Sequence, residues 1–210
     1  MKILALEFSS ERRGVAALDT ESGALGRAEE TGGRTVFGLV EQALASAGLE
    51  REQIELLAIG LGPGSYTGIR GALATAQGWQ LARRINVVGV SSVDCLAAQA
   101  QSAGKREAVN IVIDAQRDEF YLARFKIAAE NLRTVEALRL ASRAEILSLE
   151  GQGVTMGPDI KLEFAFAEDL RPDAARLARL AAARTDFTSA EKLEPIYLRV
   201  AAFKKAPTPR

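Results

Sequence analysis

The run Asn110-Ile111-Val112-Ile113-Asp114 leads into a polar turn at residues 115–119 and then a second apolar run at residues 120–127. The chain opens the same way. Residues 3–8 are apolar around an acid at Glu7, residues 9–13 form a polar turn, and residues 14–19 are apolar again. At an offset of 107 residues, Glu7 falls on Asp114 and the second run falls on Tyr121 to Phe125. The match is one of pattern, not of identity. Short apolar runs bounded by turn residues predict buried strands. A pattern that returns at a fixed offset predicts two related halves, divided near Gly104-Lys105.

The rest of the chain fits around these two openings. Glu21-Ser22-Gly23 is a turn and residues 24–30 a third strand, so the chain begins as an antiparallel meander. Gly32-Gly33 breaks it. Val36, Val40, Ala43 and Ala47 then follow helical spacing, with Thr35 as N-cap and Gly48 as the stop. Residues 55–61 read as a strand, 65–84 as a helix and 86–90 as a strand. A helix capped by Ser92 runs on to about Ser102. In the second half, strands are expected at 134–140, 154–157 and 194–199, and helices at 143–149 and 173–183. This order predicts an α/β protein of the actin-like, ribonuclease-H-like duplicated fold. Its subdomains span 1–104 and 105–203, followed by a flexible basic tail, 204–210. Periodicity alone supports only mixed α/β, with a single doubly wound sheet as the alternative.

Composition narrows the chemistry. Lys plus Arg and Asp plus Glu are both 27, so no global basic field exists to hold nucleic acid. Cys95 is the only cysteine, which rules out an internal disulfide and fits a reducing, cytoplasmic setting. The apolar start is too short for a signal peptide, and no run reaches membrane-spanning length. The chain has no histidine. That excludes the usual His or Cys zinc sites and any His-based catalytic triad, while carboxylate sites for magnesium stay open.

The main candidate site is Gly62-Pro63-Gly64-Ser65-Tyr66-Thr67-Gly68-Ile69-Arg70, between a strand and a helix. Its glycines permit tight turns. Ser65 and Thr67 stand where helix amides and the dipole favour an anion, and Arg70 could add a charged contact. No Gly-Lys-Ser/Thr ending is present, so this is not a P-loop. The structural alternative is a well-capped turn whose glycines let helix and strand approach closely. Glu7, with Ser9 and Ser10, and Asp114 are acids at equivalent strand ends. Together they could flank a cleft and hold a metal through water; alternatively, each binds turn amides. The helices at 35–47 and 65–84 are rich in small residues and suit either a core or an interface. Trp79 fits both roles, and Cys95 reads as an inert apolar residue.

Several ordered blocks resemble the bacterial TsaB (YeaZ) family. They are residues 3–10, Ile59-Gly60-Leu61-Gly62 running into the Gly-rich loop, Gly89-Val90-Ser91-Ser92, Asp114-Ala115 with Glu119-Phe120-Tyr121, and Pro195-Ile196-Tyr197-Leu198-Arg199. The resemblance implies an actin-like fold and a non-catalytic subunit in threonylcarbamoyl-adenosine (t6A) modification of tRNA. It implies partnership with TsaD and TsaE, a homodimer when alone, contact with tRNA only through the complex, and no membrane. TsaD is similar in its first half but carries a metal-binding His-x-x-x-His pair; here those positions fall on Ser92 and Leu96. No catalytic or metal residues are therefore expected and no cofactor is required, although ATP or ADP with Mg has room at the partner interface. That interface is expected at Arg34, Thr35, Phe37, Gly38, Glu41, Tyr66, Ile69, Ala72, Leu73 and Ala76. Nucleotide- or anion-proximal positions are expected at Glu7, Ser9, Gly62, Gly64, Ser65, Thr67, Gly68, Arg70 and Asp114. Glu7 stands where the family usually has Asp, and no histidine precedes the first helix. Both departures point away from nucleotide and leave partner binding untouched. An ATP-dependent phosphotransferase of the same fold is the rival reading.

Overall fold

The computed structural model describes residues 1–32 and 36–198. Arg34, Thr35, Arg199 and the tail 204–210 lie outside the described residues. In the first half, β1 (Lys2–Glu7), β2 (Arg12–Asp19), β3 (Leu25–Thr31), β4 (Leu56–Gly60) and β5 (Asn86–Val90) form one sheet in the order β3-β2-β1-β4-β5. In the second, β6 (Glu107–Asp114), β7 (Glu119–Ile127), β8 (Leu132–Ser142), β9 (Val154–Gly157) and β10 (Glu168–Asp169) form another in the order β10-β9-β6-β7-β8.

Counted within each half, both orders are 3-2-1-4-5. The meander pairs are antiparallel in both (β1–β2 and β2–β3, β6–β7 and β7–β8), and the remaining pairs are parallel. Glu7 pairs with Gly14, and Asp114 with Phe120. The chain therefore has the duplicated actin-like, ribonuclease-H-like α/β architecture, and the single doubly wound sheet is excluded.

Five α-helices complete the described fold: α1 (Val36–Ala47), α2 (Tyr66–Ala82), α3 (Ser92–Ser102), α4 (Arg143–Leu147) and α5 (Ala174–Ala182). Strand side chains alternate between faces, so each buried strand feeds two cores. Leu4, Leu6, Leu57 and Ile59 meet α1 and α2, while Ile3, Ala5, Leu56 and Ala58 meet α5. On the second sheet, Val109, Ile111 and Ile113 meet α3, and Val112, Phe120 and Leu122 meet α4 with Ile160 and Phe164. The boundary at residue 104 thus separates the sheets but not their helices. α3 largely caps the second sheet and α5 the first, so the halves are laced together.

Three expectations change. Ser91, not Ser92, caps α3, accepting from the Val93 amide at 3.2 Å. The expected strand at 194–199 is not one: residues 194–198 carry no strand pairing. Pro195 brings no N–H to a ladder, and this segment is held instead by a bond from the Ile196 amide to Leu61 O at 2.9 Å. The third concerns α2. Ile69, Ala72, Leu73 and Ala76 recur at helical spacing and are buried in the chain's own first core. Small side chains there let α2 lie close on β1 and β4, so these four are packing residues, not partner-facing ones. The exposed side of the two helices carries Phe37, 59% exposed, with Glu41, Tyr66, Ala74 and Gly78.

Candidate functional site

The carboxyl ends of β1, β4 and β5 converge, and this is where open parallel sheets place their ligand crevices. β1 ends in Glu7, β4 runs into the Gly-rich loop, and β5 runs into α3. The loop contains a cis Gly62-Pro63 bond, with φ of +83° at Gly62 and +147° at Gly64. The Ser65 amide donates to Ser9 O at 2.7 Å, and the Ser92 amide to Gly62 O at 2.8 Å. A Cβ on Gly64 would overlap the Ser9 carbonyl, and one on Gly68 the Phe8 carbonyl. The glycines are required because α2 starts directly against the backbone of the β1–β2 turn. Ser65 caps α2, its hydroxyl accepting from the Gly68 amide at 3.3 Å.

Glu7 lies beneath this junction, fully buried. Its Oε1 accepts from the Ser9 amide at 2.9 Å and its Oε2 from the Ser92 hydroxyl at 3.0 Å. The carboxylate packs onto Gly60, where no side chain would fit. Asp114 is exposed and tied to its own turn, accepting from the Gln116 amide at 2.7 Å and side chain at 2.9 Å. The expected pairing of Glu7 with Asp114 around a metal is corrected. One acid is buried and bonded inside the first half, and the other is committed to a turn in the second. Among the described residues, no group of three or more His, Cys, Asp or Glu could hold a metal ion. These residues do not fit a shared magnesium site, and no step is derived through one.

Arg70 is directed elsewhere too. Its Nη1 donates to the Tyr66 hydroxyl at 2.7 Å, and its guanidinium lies 5.2 Å from the centre of that ring. Tyr197 stacks on Tyr66 with centroids 5.3 Å apart. Thr67 is exposed at the helix start. The structure thus joins Glu7, Ser9, Gly62, Gly64, Ser65 and Gly68 at one junction, adds Ser92 and Tyr197, and leaves Asp114 out. The link from Ser92 to Glu7 went unread in the sequence; its signal is the longer acid at position 7, which has the reach for it. Leu96 is buried, and Cys95 is buried with its thiol pKa pushed up by desolvation, which keeps it unreactive.

Burial also raises the Glu7 pKa, and the hydrogen bonds from Ser9 and Ser92 offset this only in part. Over the window between the unfolded value and the raised folded value, the folded state holds the extra proton. Stability attributable to Glu7 therefore falls as pH rises through that window. Glu7→Gln keeps the shape, can still accept from Ser9 and face Ser92, and removes the buried charge. Urea titrations at a series of pH values rising from the ordinary carboxylate range should show the substituted chain gaining on the natural one as pH increases. A constant difference across that series would contradict the assignment.

Comparison with known proteins follows the same lines. Residues 30–194 match the family model described as TsaD: tRNA N6-adenosine threonylcarbamoyltransferase. The chain is 28% identical over 232 aligned positions to the tRNA threonylcarbamoyladenosine biosynthesis protein TsaB of Escherichia coli, covering 99% of each. It is 31% identical to the protein of that name from Haemophilus influenzae, over 64% of this chain and 57% of that one. The solved structure of YeaZ from Pseudomonas aeruginosa superposes with a TM-score of 0.79 at 26% identity, covering 94% of this chain and 99% of that one. A second Pseudomonas aeruginosa structure, described as an uncharacterized protein with similarity to peptidase YEAZ, also has a TM-score of 0.79, at 27% identity.

Proposed function

We propose, from the premise that this chain belongs to the TsaB (YeaZ) family within the group covered by the TsaD model, that it is a non-catalytic subunit supporting threonylcarbamoyl transfer to tRNA adenosine. In this reading it binds TsaD, assists the action of TsaE, and makes no bond-changing contribution itself. The observation that carries it is the state of Glu7. The acid that opens the actin-like site is sealed beneath the glycine-rich loop and spent on Ser9 and Ser92. The same observation weighs against the phosphotransferase reading. A chain without histidine has no ordinary base for a peptidase.

The partner face we assign is the outer side of α1 and α2. Phe37, Ala74, Thr75, Gly78, Trp79 and Ala82 line the apolar part of a cleft there of about 370 Å³, and Arg51, Glu52 and Arg83 line the rest. Trp79 packs inward against the first core and also lines this cleft, so in this reading it would serve as an anchor for the partner as well. ATP or ADP with Mg, where required, belongs to the assembled complex. Depletion of this protein followed by mass spectrometry of tRNA nucleosides should show loss of threonylcarbamoyl-adenosine. Persistence of the modified nucleoside would refute the proposal.

A further inference from the structure

One face of the second sheet changes character along its strands. Toward one end, Val112, Phe120, Leu122 and Ala141 are covered by α4 and its neighbours. Toward the other, the rows read Ala108, Lys126, Arg133 and then Asn110, Arg124, Glu136 across β6, β7 and β8. An open cleft of about 660 Å³ lies over this end, lined by Arg106, Glu107, Arg124, Lys126, Val135 and Gln152 among others.

Lys126 and Arg133 are exposed and directly opposite each other on paired strands. Like charges so placed destabilise a sheet. Among the described residues, neither Lys126 nor Arg133 is in an ion pair, and Arg106 donates to the Gln101 and Lys105 carbonyls. Arg124 is built in from behind. Its Nε donates to Asn110 Oδ1 at 3.1 Å, and Asn110, fully buried, donates in turn to Thr155 Oγ1 at 3.2 Å and to Gln152 O at 3.4 Å. The nearest acid to Arg124, Glu136, stands 4.0 Å from its Nη1 and also bonds Arg139. Register shifts between β7 and β8 flank Arg124, and such irregularities re-aim side chains. A buried amide spent on orienting an arginine beside an unneutralised Lys–Arg pair is arranged for a polyanion.

We infer that this open face of the second half, centred on Arg124, Lys126 and Arg133, binds the phosphate backbone of RNA, namely the tRNA that the complex modifies, a direct contact where the family resemblance implies one only through the complex. The identity of the RNA rests on the function proposed above; the basic face itself does not. Phosphate contacts of this kind bind without reading sequence and weaken steeply with salt.

The test is fluorescence anisotropy of labelled tRNA with the full chain at several salt concentrations. Lys126→Glu with Arg133→Glu should weaken binding about tenfold or more at low salt. It should also reduce the slope of log K against log salt by about two, one for each lost phosphate contact. Arg179→Glu, an exposed change on α5 against the first sheet, should leave both quantities unaltered. No binding, or binding with an unchanged slope in the double variant, overturns the inference. So does displacement by polyglutamate as effective as by RNA, since the face would then suit an acidic protein segment. Circular dichroism of the double variant separates misfolding from lost contact, and Asn110→Ala should weaken binding in a chain whose surface cations are intact. The two readings fail separately: persistent t6A after depletion removes the function, while charge-insensitive tRNA binding removes only this face.

Discussion

Ala72→Asp should unfold the protein or cost it roughly 4 kcal/mol or more, while Ala74→Asp on the same helix should leave the urea midpoint nearly unchanged. Ala72 is fully buried among the residues of the first core, beside Ile69, Leu73 and Ala76. A carboxylate there would have no partner and no water, and it would also overfill a site sized for a methyl group. Ala74 is two residues further along α2, which turns its side chain out to the cleft shared with Phe37 and Trp79. The pair therefore separates packing from docking on one helix. Ala74→Asp should fold normally and fail to co-elute with TsaD, because a charge is placed on the apolar part of the cleft, beside Phe37 and Trp79. A natural midpoint for Ala72→Asp would show that α2 does not face the core as described.

This helix also shows where sequence reading stops. Its helical identity is plain from the spacing of its apolar residues, and so is its start at Ser65. Which of its two small-residue faces turns inward is not. Ala72 and Ala76 on one side, and Gly71, Ala74, Thr75 and Gly78 on the other, are all compatible with close approach. The choice is made by the apolar faces of β1 and β4, far away in sequence. The duplicated fold was legible for the opposite reason. The openings at residues 3–19 and 110–127 each carry their own strand, turn and strand signals, and the acids at Glu7 and Asp114 mark the register. The final helix was readable as a helix, but its return to the first sheet is a long-range packing choice that no local signal encodes. The same limit explains the acids. Equal positions in two half-patterns suggested one shared cleft, yet burial depends on neighbours. Gly60 and Ser92 bury Glu7, whereas Gln116 holds Asp114 at the surface.

Gly64→Ala should destabilise the protein by about 3 kcal/mol or more, and Gly71→Ala, seven residues on, should stabilise it by up to about 1 kcal/mol. Two costs meet at Gly64. Its φ of +147° lies where side chains rarely go, and a Cβ would overlap the Ser9 carbonyl that binds the Ser65 amide. Relief requires moving the start of α2 away from the β1–β2 turn, which would loosen the cap at Ser65 and the burial of Glu7 beneath it. Gly71 meets nothing within 4 Å, so alanine there only restricts the unfolded chain and favours the helix. For a chain of this length the first change should lower the melting temperature by on the order of 10 °C, while the second raises it by a few degrees. Thermal melts of both variants check the signs directly. A Gly64→Ala chain that melts like the natural one would mean that the loop has room to spare. Its glycines would then need a reason other than close packing, and a bound anion at the start of α2 would become the better account of the same residues.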